Sequence, residues 1–341
     1  MKRECVLVTG GAGFIGTHLV RRLLREPHLS LVVLDRLTYA SRFDRLQSSL
    51  NEPRLAFIQG DVADCELGER LFRDFPITAV IHLAAESHVD RSIAAPDPFV
   101  WTNLVGTHRL AEVARRAWSR RQATGSDRVA GAQPRWIQVS TDEVFGSLAE
   151  PEEADEHRAF RPSSTYSASK AGADLLLEAA ATTWGFPLII SRTCNNYGPG
   201  QHPEKFIPRM ILAAVEGDAL PIYGDGHQVR EWLHVEDHCE GLTQVLLRGE
   251  LGGRYHLGSA DRHANLDVAE RIRKGVAAWL TIRGRPVPSS RLSFVTDRPG
   301  HDRRYALDSR ESWRRLDWKP QIDFEIGLER TIDEVLCEAE S

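Results

Sequence analysis

The sequence of 341 residues lacks several features that define common classes of protein. No apolar stretch approaches the ~20 residues that a bilayer-spanning helix requires, and neither repeats nor low-complexity segments occur. The five cysteines are scattered and form no Cys-x-x-Cys pair, so we expect reduced thiols in a cytoplasmic protein and no metal held by cysteine. A formal net charge of −5 disfavours general binding to nucleic acid or to acidic membranes. A strand predicted at residue 5 also leaves no room for a signal peptide.

Short apolar runs alternate with helical patterns through the first half of the chain. Such runs, apolar on both faces, indicate a parallel sheet covered by helices on both sides. The predicted fold class is therefore α/β, a doubly wound parallel (Rossmann) sheet with a smaller mixed C-terminal domain. The predicted strands cover residues 5–9, 31–34, 55–58, 79–83, 136–140 and 188–191, and the first helix covers 15–25.

Beyond residue 195 the pattern becomes richer in turns, with helical periodicity only near 206–216, 235–248 and 265–283. We expect the smaller domain to comprise residues 196–227 and 261–341. Residues 1–195 and 228–260 then form the Rossmann domain. The polar, glycine-containing segment 122–133 is predicted to be an exposed loop after a long helix.

Three glycines join the first strand to the first helix. Gly10 permits a tight turn, Gly13 lets the backbone approach a pyrophosphate, and Gly16 allows close helix packing. Asp35 ends the next strand, where a carboxylate accepts hydrogen bonds from a ribose 2′-hydroxyl and repels a 2′-phosphate. We therefore predict NAD rather than NADP, a preference that the adjacent Arg36 could soften.

Three further carboxylates and a tyrosine–lysine pair are expected beside that cofactor. Asp61 either faces the adenine or caps the following helix. Tyr166 and Lys170 share a helix face, so the ammonium would stabilise a phenolate that acts as a base. Asp142 and Glu143 follow Thr141 at the end of a strand. An enzyme that only moves a hydride has no obvious use for this extra acid and base, whereas one that also removes water needs both.

These segments together resemble the extended short-chain dehydrogenase/reductase family, and within it the dTDP-glucose 4,6-dehydratases. Departures are mild: Phe145 stands where the family often has tyrosine, and Phe206 where it often has leucine. The resemblance spans nearly the whole chain and rests on residues 9–16, 84–92, 140–144, 166–170, 192–199, 204–208, 221–226, 229–232 and 297–301.

The resemblance implies a mechanism that removes water from a nucleotide sugar. Tyr166 takes the proton of the 4-hydroxyl while C4 is oxidised by NAD⁺, and Thr141 binds the 4-oxygen. Glu143 removes the C5 proton, Asp142 protonates the departing 6-hydroxyl, and the hydride returns to C6. Lys170 completes the expected catalytic set. The cofactor is regenerated in every turnover, so we expect it to bind tightly.

The resemblance also implies binding residues and a homodimer built through helices near 99–118 and 166–184. Arg230 and Arg298 would bind the diphosphate, Asn195 and Lys205 the sugar, and Pro221 and Tyr223 the base. Substrate contacts are further expected from Ser87, Thr141, Glu204, Phe206, Ile222, Asn265 and His301. The expected cofactor contacts are Gly10, Gly13, Phe14, Ile15, Gly16, Asp35, Arg36, Leu37, Thr38, Asp61, Val62, Leu83, Ala84, Ala85, Ser87, Thr102, Tyr166, Lys170 and Asn196.

Several alternatives stay open at this point. A nucleotide-sugar 4-epimerase or decarboxylase would share the glycines, Asp35, Tyr166 and Lys170, but would not need both carboxylates at 142 and 143. A non-catalytic NAD-binding regulator is a different class, although such proteins often lose the tyrosine or the lysine. The nucleobase is not determined. His234 and His238 have the spacing of a metal pair, but no further ligands lie nearby in the sequence, and we predict no metal.

Overall fold

The computed structural model describes residues 4–124 and 133–340. The described residues form three sheets. The twelve strands are β1 Glu4–Thr9, β2 Leu29–Asp35, β3 Leu55–Gln59, β4 Ile77–His82, β5 Arg135–Thr141, β6 Leu188–Thr193, β7 Asn195–Tyr197, β8 Ala219–Tyr223, β9 Val229–His234, β10 Arg254–Leu257, β11 Arg262–Ala264 and β12 Arg291–Val295.

Helices cover most of the remaining chain. They are α1 Phe14–Leu23, α2 Phe43–Leu46, α3 Cys65–Asp74, α4 Val89–Ala94, α5 Asp97–Phe99, α6 Thr107–Thr124, α7 Thr165–Trp184, α8 Phe206–Glu216, α9 Val235–Arg248, α10 Asn265–Ile282, α11 Arg310–Leu316 and α12 Phe324–Ala339. A π-helical segment, Val100–Gly106, joins α5 to α6, and two 3₁₀ turns cover Gln47–Ser49 and Asp142–Phe145. None of the described helices is both long enough and apolar enough to cross a membrane.

The central sheet has seven strands in the order β3-β2-β1-β4-β5-β6-β10, all parallel. The predicted doubly wound sheet is thus confirmed, and its six predicted strands agree with the observed ones within two residues at each end. The seventh strand, β10, was missed because Arg-Tyr-His-Leu contains no apolar run. Its His256 is nevertheless buried and hydrogen-bonded to the Ala154 carbonyl at 3.1 Å.

Side chains of the central strands alternate between two hydrophobic cores, one on each face of the sheet. In β1, Val6 and Val8 pack into the core that contains α1 and α9, while Cys5 and Leu7 pack into the core that contains α3 and α6. Burial on both faces explains why most side chains of the first six of these strands are apolar.

A third core lies in the smaller, mixed part of the chain, where it joins α8, α10 and α12. The sheets here are β11-β9-β7 and β12-β8. The three predicted helices of this half correspond to α8, α9 and α10. The domain boundaries themselves remain a prediction. Most of the predicted loop 122–133 lies outside the described residues, and α6 continues through its first three positions.

The order of the central strands reverses between β1 and β4. In such sheets the connections leave in opposite directions at this point and open a crevice at the carboxyl ends of the strands. Ligands bind in that crevice in doubly wound folds, and the residues singled out in the sequence follow β1, β2, β4 and β5 at this edge.

Candidate active site

The turn between β1 and α1 leaves no room for side chains at two of its glycines. Gly10 adopts φ +68°, and a Cβ there would lie 2.7 Å from the Ala84 nitrogen. A Cβ on Gly16 would lie 2.2 Å from the Gly10 carbonyl oxygen, because α1 starts against the turn itself. The turn therefore exposes its backbone to the crevice, as a pyrophosphate site requires.

Each oxygen of the Asp35 carboxylate accepts a hydrogen bond from a backbone N–H group. Its Oδ2 accepts from the Ala12 N–H at 2.9 Å and its Oδ1 from the Leu37 N–H at 2.8 Å. Burial raises the pKa of this carboxyl, and the two N–H donors oppose that rise. Each carboxylate oxygen still has a free lone pair that can accept a ribose hydroxyl.

Arg36 forms ion pairs with two carboxylates. Its guanidinium lies 3.1 Å from Asp61 Oδ2 and 3.2 Å from Glu86 Oε1. Asp61 also accepts from the Ala63 N–H at 2.8 Å. Asp61 thus holds the turn before α3, while Asp64 is the residue that caps this helix.

A cavity of about 330 Å³ runs from the glycine turn to the end of β5. All the predicted cofactor residues line it except Leu37, whose backbone serves Asp35 instead. The catalytic candidates Thr141, Asp142 and Glu143 line it as well. Sequence reasoning missed several lining residues: Leu34, Ala40, Ser41, Gly60, Glu86, Val139, Ser140, Thr193, Cys194, Gln201 and His202.

The carboxylates of Asp142 and Glu143 lie in a 3₁₀ turn that begins directly after β5. Thr141 caps this turn, since its Oγ1 accepts from the Glu143 N–H at 3.3 Å and donates to Asp142 Oδ1 at 3.2 Å. Gly146 ends the turn with φ +68°. The turn buries Asp142 and leaves Glu143 half-buried, and both side chains line the cavity.

The two carboxylates have different charged neighbours. Burial raises the pKa of Asp142 well above its usual value and the nearby carboxylates Glu143 and Glu231 raise it further, whereas Arg230 opposes the rise. Burial also raises the pKa of Glu143, but Arg298, Arg230 and Lys205 oppose that rise. Asp142 is therefore the group that retains a proton, and Glu143 the one that ionises more readily.

Lys170 and Tyr166 project from the first turns of α7 toward the end of β5. The helix starts at a capping box formed by Ser164 and Ser167. Lys170 Nζ donates to the Val139 carbonyl at 2.7 Å. Burial lowers the pKa of Lys170 to about 8, and Asp174 opposes this.

The pKa of Tyr166 shifts in the direction opposite to the one expected from the sequence. Burial, with Glu143 next, raises the pKa of Tyr166, whereas a hydrogen bond with Thr141 lowers it. The protein groups alone thus do not produce the acidification expected from Lys170, since loss of solvent outweighs them.

A second cavity of about 190 Å³ adjoins the first, and Glu143, Ser87, Asn195 and Lys205 line both. Every predicted substrate residue except Thr141 lines it; Thr141 lines the first cavity. The residues missed here are His88, Val89, Asp90, Arg209, Met210, Trp232 and Tyr305.

Basic groups in the second cavity are held by neutral and acidic neighbours. Arg230 lies over the Tyr305 ring at 4.3 Å and donates to the Asp302 carbonyl at 2.9 Å. Asp90 pairs with Arg298 at 3.2 Å and accepts from the Tyr223 hydroxyl at 3.1 Å. Asp90 belongs to the segment 84–92 that carried part of the resemblance, so it could have been found. Tyr305 had no signal in the sequence.

His234 and His238 do not converge on a ligand set. His234 caps α9 by accepting from the Glu236 N–H at 3.3 Å, and His238 is fully buried. Within residues 4–124 and 133–340, no three His, Cys, Asp or Glu side chains are arranged to hold a metal ion.

A dinucleotide crevice at the switch point, a Tyr-x-x-x-Lys pair and a second polar cavity define an extended short-chain dehydrogenase/reductase. Residues 7–331 match the family model described as GDP-mannose 4,6 dehydratase. A dTDP-glucose 4,6-dehydratase of Escherichia coli is 43% identical over 342 residues, which cover 96% of this chain and 91% of that protein. The glycan biosynthesis protein Agl12 of Haloferax volcanii is 43% identical, with 98% and 99% covered.

Solved structures give the same result. The dTDP-glucose 4,6-dehydratase DesIV of Streptomyces venezuelae, solved with NAD bound, superposes with a TM-score of 0.87 at 40% identity and covers 98% of each chain. A UDP-glucose 4-epimerase of Thermus thermophilus, also with NAD, has a TM-score of 0.82 at 28% identity, with 97% and 99% covered. The chain belongs to the dTDP-glucose 4,6-dehydratase family, as its sequence motifs predicted.

Proposed function

We propose that this protein is an NAD-dependent hydro-lyase that converts dTDP-glucose to dTDP-4-keto-6-deoxyglucose. The observation that carries the proposal is the pair Asp142 and Glu143. Both line the cofactor crevice at the end of β5, and their charged neighbours differ. An elimination needs one group that holds a proton and one that accepts a proton, and this pair supplies both.

The residues of the crevice fit NAD. The glycine turn leaves no room for side chains where a pyrophosphate must approach, and Asp35 offers its free lone pairs to a ribose. Since Arg36 is paired with Asp61 and Glu86, it is poorly placed to attract a 2′-phosphate, which supports NAD over NADP. The relatives solved with NAD support the same choice. When bound, NAD⁺ accepts a hydride from C4 of the sugar and returns it to C6.

The protein's own groups move the protons. Tyr166 takes the proton of the 4-hydroxyl, while Thr141 donates a hydrogen bond to the 4-oxygen. The resulting ketone acidifies the C5 hydrogen, which Glu143 removes as base. Asp142 gives its proton to the 6-hydroxyl, which leaves as water. Glu143 then returns a proton to C5. Tyr166 releases the proton it took and Asp142 regains one, so the net change is the loss of one water.

The second cavity would hold the rest of the substrate. Arg230 and Arg298 bind the diphosphate, because guanidinium groups make paired hydrogen bonds to phosphate oxygens. Lys205 and Asn195 border both cavities and reach the sugar between them. Pro221 and Tyr223 flank the base, and Asn265 and His301 complete the nucleotide site.

A substrate panel tests this function directly. Purified protein is incubated with dTDP-, UDP- and GDP-hexoses, and the products are read by mass spectrometry. We expect dTDP-glucose to lose the mass of one water without added NAD, because the cofactor copurifies. A product of unchanged mass with an inverted C4 would instead show an epimerase. Loss of carbon dioxide from a uronic acid derivative would show a decarboxylase, and no reaction with any sugar would favour a regulator.

We propose that the enzyme is a homodimer joined through the helices at 97–124 and 165–184. Large apolar side chains are exposed on these helices, which is unusual for a surface that meets only water. They are Val100, Trp101, Leu175, Leu176 and Trp184. Light scattering coupled to gel filtration should give twice the mass of the chain, and Leu176→Glu should give a monomer.

We further propose a cytoplasmic location. Cys5, Cys194 and Cys239 are buried, and none of these three is held in a disulfide. Buried thiols outside disulfides suit a reducing compartment.

A further inference from the structure

A pair of opposite charges is buried behind the proposed catalytic groups, outside both cavities. Asp174 on α7 and Arg192 on β6 are 0% and 1% exposed. Asp174 Oδ2 lies 3.1 Å from one terminal nitrogen of Arg192 and 3.2 Å from its Nε. Asp174 stands one helical turn after Lys170, so the two side chains lie on the same face of α7.

Arg192 also contacts the segment that carries the two carboxylates. Its guanidinium lies 5.4 Å from the ring centre of Phe145, the last residue of the 3₁₀ turn, and 5.0 Å from that of Phe160. The pair thus touches both the helix that bears Lys170 and the turn that bears Asp142 and Glu143.

A buried ion pair adds little to the stability of the fold, because the free energy lost by removing two charges from water offsets their attraction. Apolar residues of similar volume would stabilise this position at least as well. The position of the pair, one turn from a lysine that is itself buried, calls for another explanation.

We infer that Asp174 is a positioning residue for the proposed reaction: it keeps a proton on Lys170, and Arg192 keeps Asp174 ionised. The inference rests on the proposed function, in which the Lys170 ammonium supports the Tyr166 phenolate. Three alternating charges then run from β6 through α7 to the active site.

The surroundings of Lys170 support this order of charges. Its Nζ is buried and donates to the Val139 carbonyl, a neutral acceptor. Burial favours the neutral amine and lowers the pKa of Lys170 to about 8, and Asp174 is the group that opposes this loss. Burial likewise raises the pKa of Asp174, and Arg192, followed by Lys170, opposes that.

In any pH experiment, the titration of Lys170 has to be distinguished from that of the other titratable groups around this site. Burial lowers the pKa of His82 and of His256 to about 3, so both stay neutral near physiological pH. The groups that act on the same reaction are Tyr166 on α7 and Asp142 and Glu143 in the 3₁₀ turn. A direct titration of the lysine avoids their contribution.

The sequence contains only five lysines, which makes that titration practical. The protein is labelled with ¹³C at the lysine ε-carbon, and the Lys170 signal is assigned by its disappearance in Lys170→Arg. We expect Asp174→Asn to lower the midpoint of Lys170 by ~1–2 pH units, the effect of one unit charge at the distance of a helical turn. The alkaline limit of kcat should move down by a similar amount.

Three further variants isolate the charge. Glu178→Gln removes a carboxylate from the same helix, two turns beyond Lys170, where it pairs with Arg254 at 2.9 Å. This control should leave both midpoints unchanged, and Asp174→Glu should restore them. If Asp174→Asn folds poorly because Arg192 is left unpaired, Asp174→Asn combined with Arg192→Met removes both charges and should still show the lowered midpoint.

An unchanged Lys170 midpoint in Asp174→Asn or in the double variant overturns the inference. A midpoint that falls in Glu178→Gln as much as in Asp174→Asn also overturns it, because the effect would then be nonspecific. Failure of the wild-type protein to dehydrate dTDP-glucose would refute the proposed function instead. The spectroscopic titration would still test the link between Asp174 and Lys170.

Discussion

Replacing Asp142 by asparagine separates water loss from the oxidation that precedes it. The amide has the same shape and keeps an oxygen for the Thr141 hydroxyl, which lies 3.2 Å from Asp142 Oδ1. It cannot supply the proton that the departing 6-hydroxyl needs. Because one well-placed general acid contributes ~10²–10⁴-fold in rate, we expect dehydration to slow by that factor.

The oxidation of C4 should survive in this variant, because it depends on Tyr166 rather than on Asp142. In a single turnover, the near-ultraviolet absorbance of reduced nicotinamide should rise at nearly the wild-type rate and then persist. Mass spectrometry of quenched samples should show water lost only slowly. Glu153→Gln serves as a control, since it removes a carboxylate that pairs with Arg262 outside both cavities. Wild-type dehydration by Asp142→Asn would refute the assignment of the acid.

The same variant has a predicted effect on stability. Burial, with Glu143 and Glu231 next, raises the pKa of Asp142 above its value in the unfolded chain. The folded protein therefore binds this proton more tightly. The resulting stabilisation is complete below the unfolded pKa and is lost as the pH rises through the folded pKa. The amide does not titrate, so it has no such loss. Thermal unfolding at a series of pH values should therefore show that the Tm of Asp142→Asn rises relative to the Tm of the wild type as the pH increases. A constant difference at all pH values would contradict this.

Three further changes test the other parts of the site. Glu143→Gln should abolish exchange of the C5 hydrogen with deuterated solvent, and undiminished exchange would exclude Glu143 as the base. Gly16→Ala should yield protein with little NAD, seen in the absorbance of the purified enzyme, because the added methyl would lie 2.2 Å from the Gly10 oxygen; full occupancy would contradict the packing argument. Arg298→Met should raise the KM for dTDP-glucose by ~10–100-fold, the value of hydrogen bonds to a charged group, with a smaller change in kcat. An unchanged KM would remove Arg298 from the diphosphate site.

The parallel sheet could be predicted from the sequence because each of its first six strands contains a short, mostly apolar run. Burial on both faces demands such runs, and few other structures produce them. The helices α8, α9 and α10 were equally visible, since their apolar residues recur with helical spacing. By contrast, β10 is a buried strand of polar and aromatic residues, whose burial depends on partners distant in the chain, such as the Ala154 carbonyl.

The cofactor turn and the two proposed acid–base residues have local signals. Gly16 is required by contacts within its own turn, Gly10 adopts φ +68°, and Asp142 and Glu143 share one 3₁₀ turn, so short motifs carry this information. The electrostatic difference between the two carboxylates was not local. Glu231 lies near Asp142 and Arg298 lies near Glu143 only because the folded chain brings these distant residues beside the 3₁₀ turn.

The sequence by itself thus determined the class of fold and the cofactor turn, and it supplied the residues proposed to react, because each depends on neighbours in the chain or on a regular period. Only the tertiary structure decided which carboxyl keeps its proton, what restrains Arg36, and that Asp174 and Arg192 lie behind Lys170. Charges act through space, and their sum at any group depends on residues that the chain brings together from every part of its length.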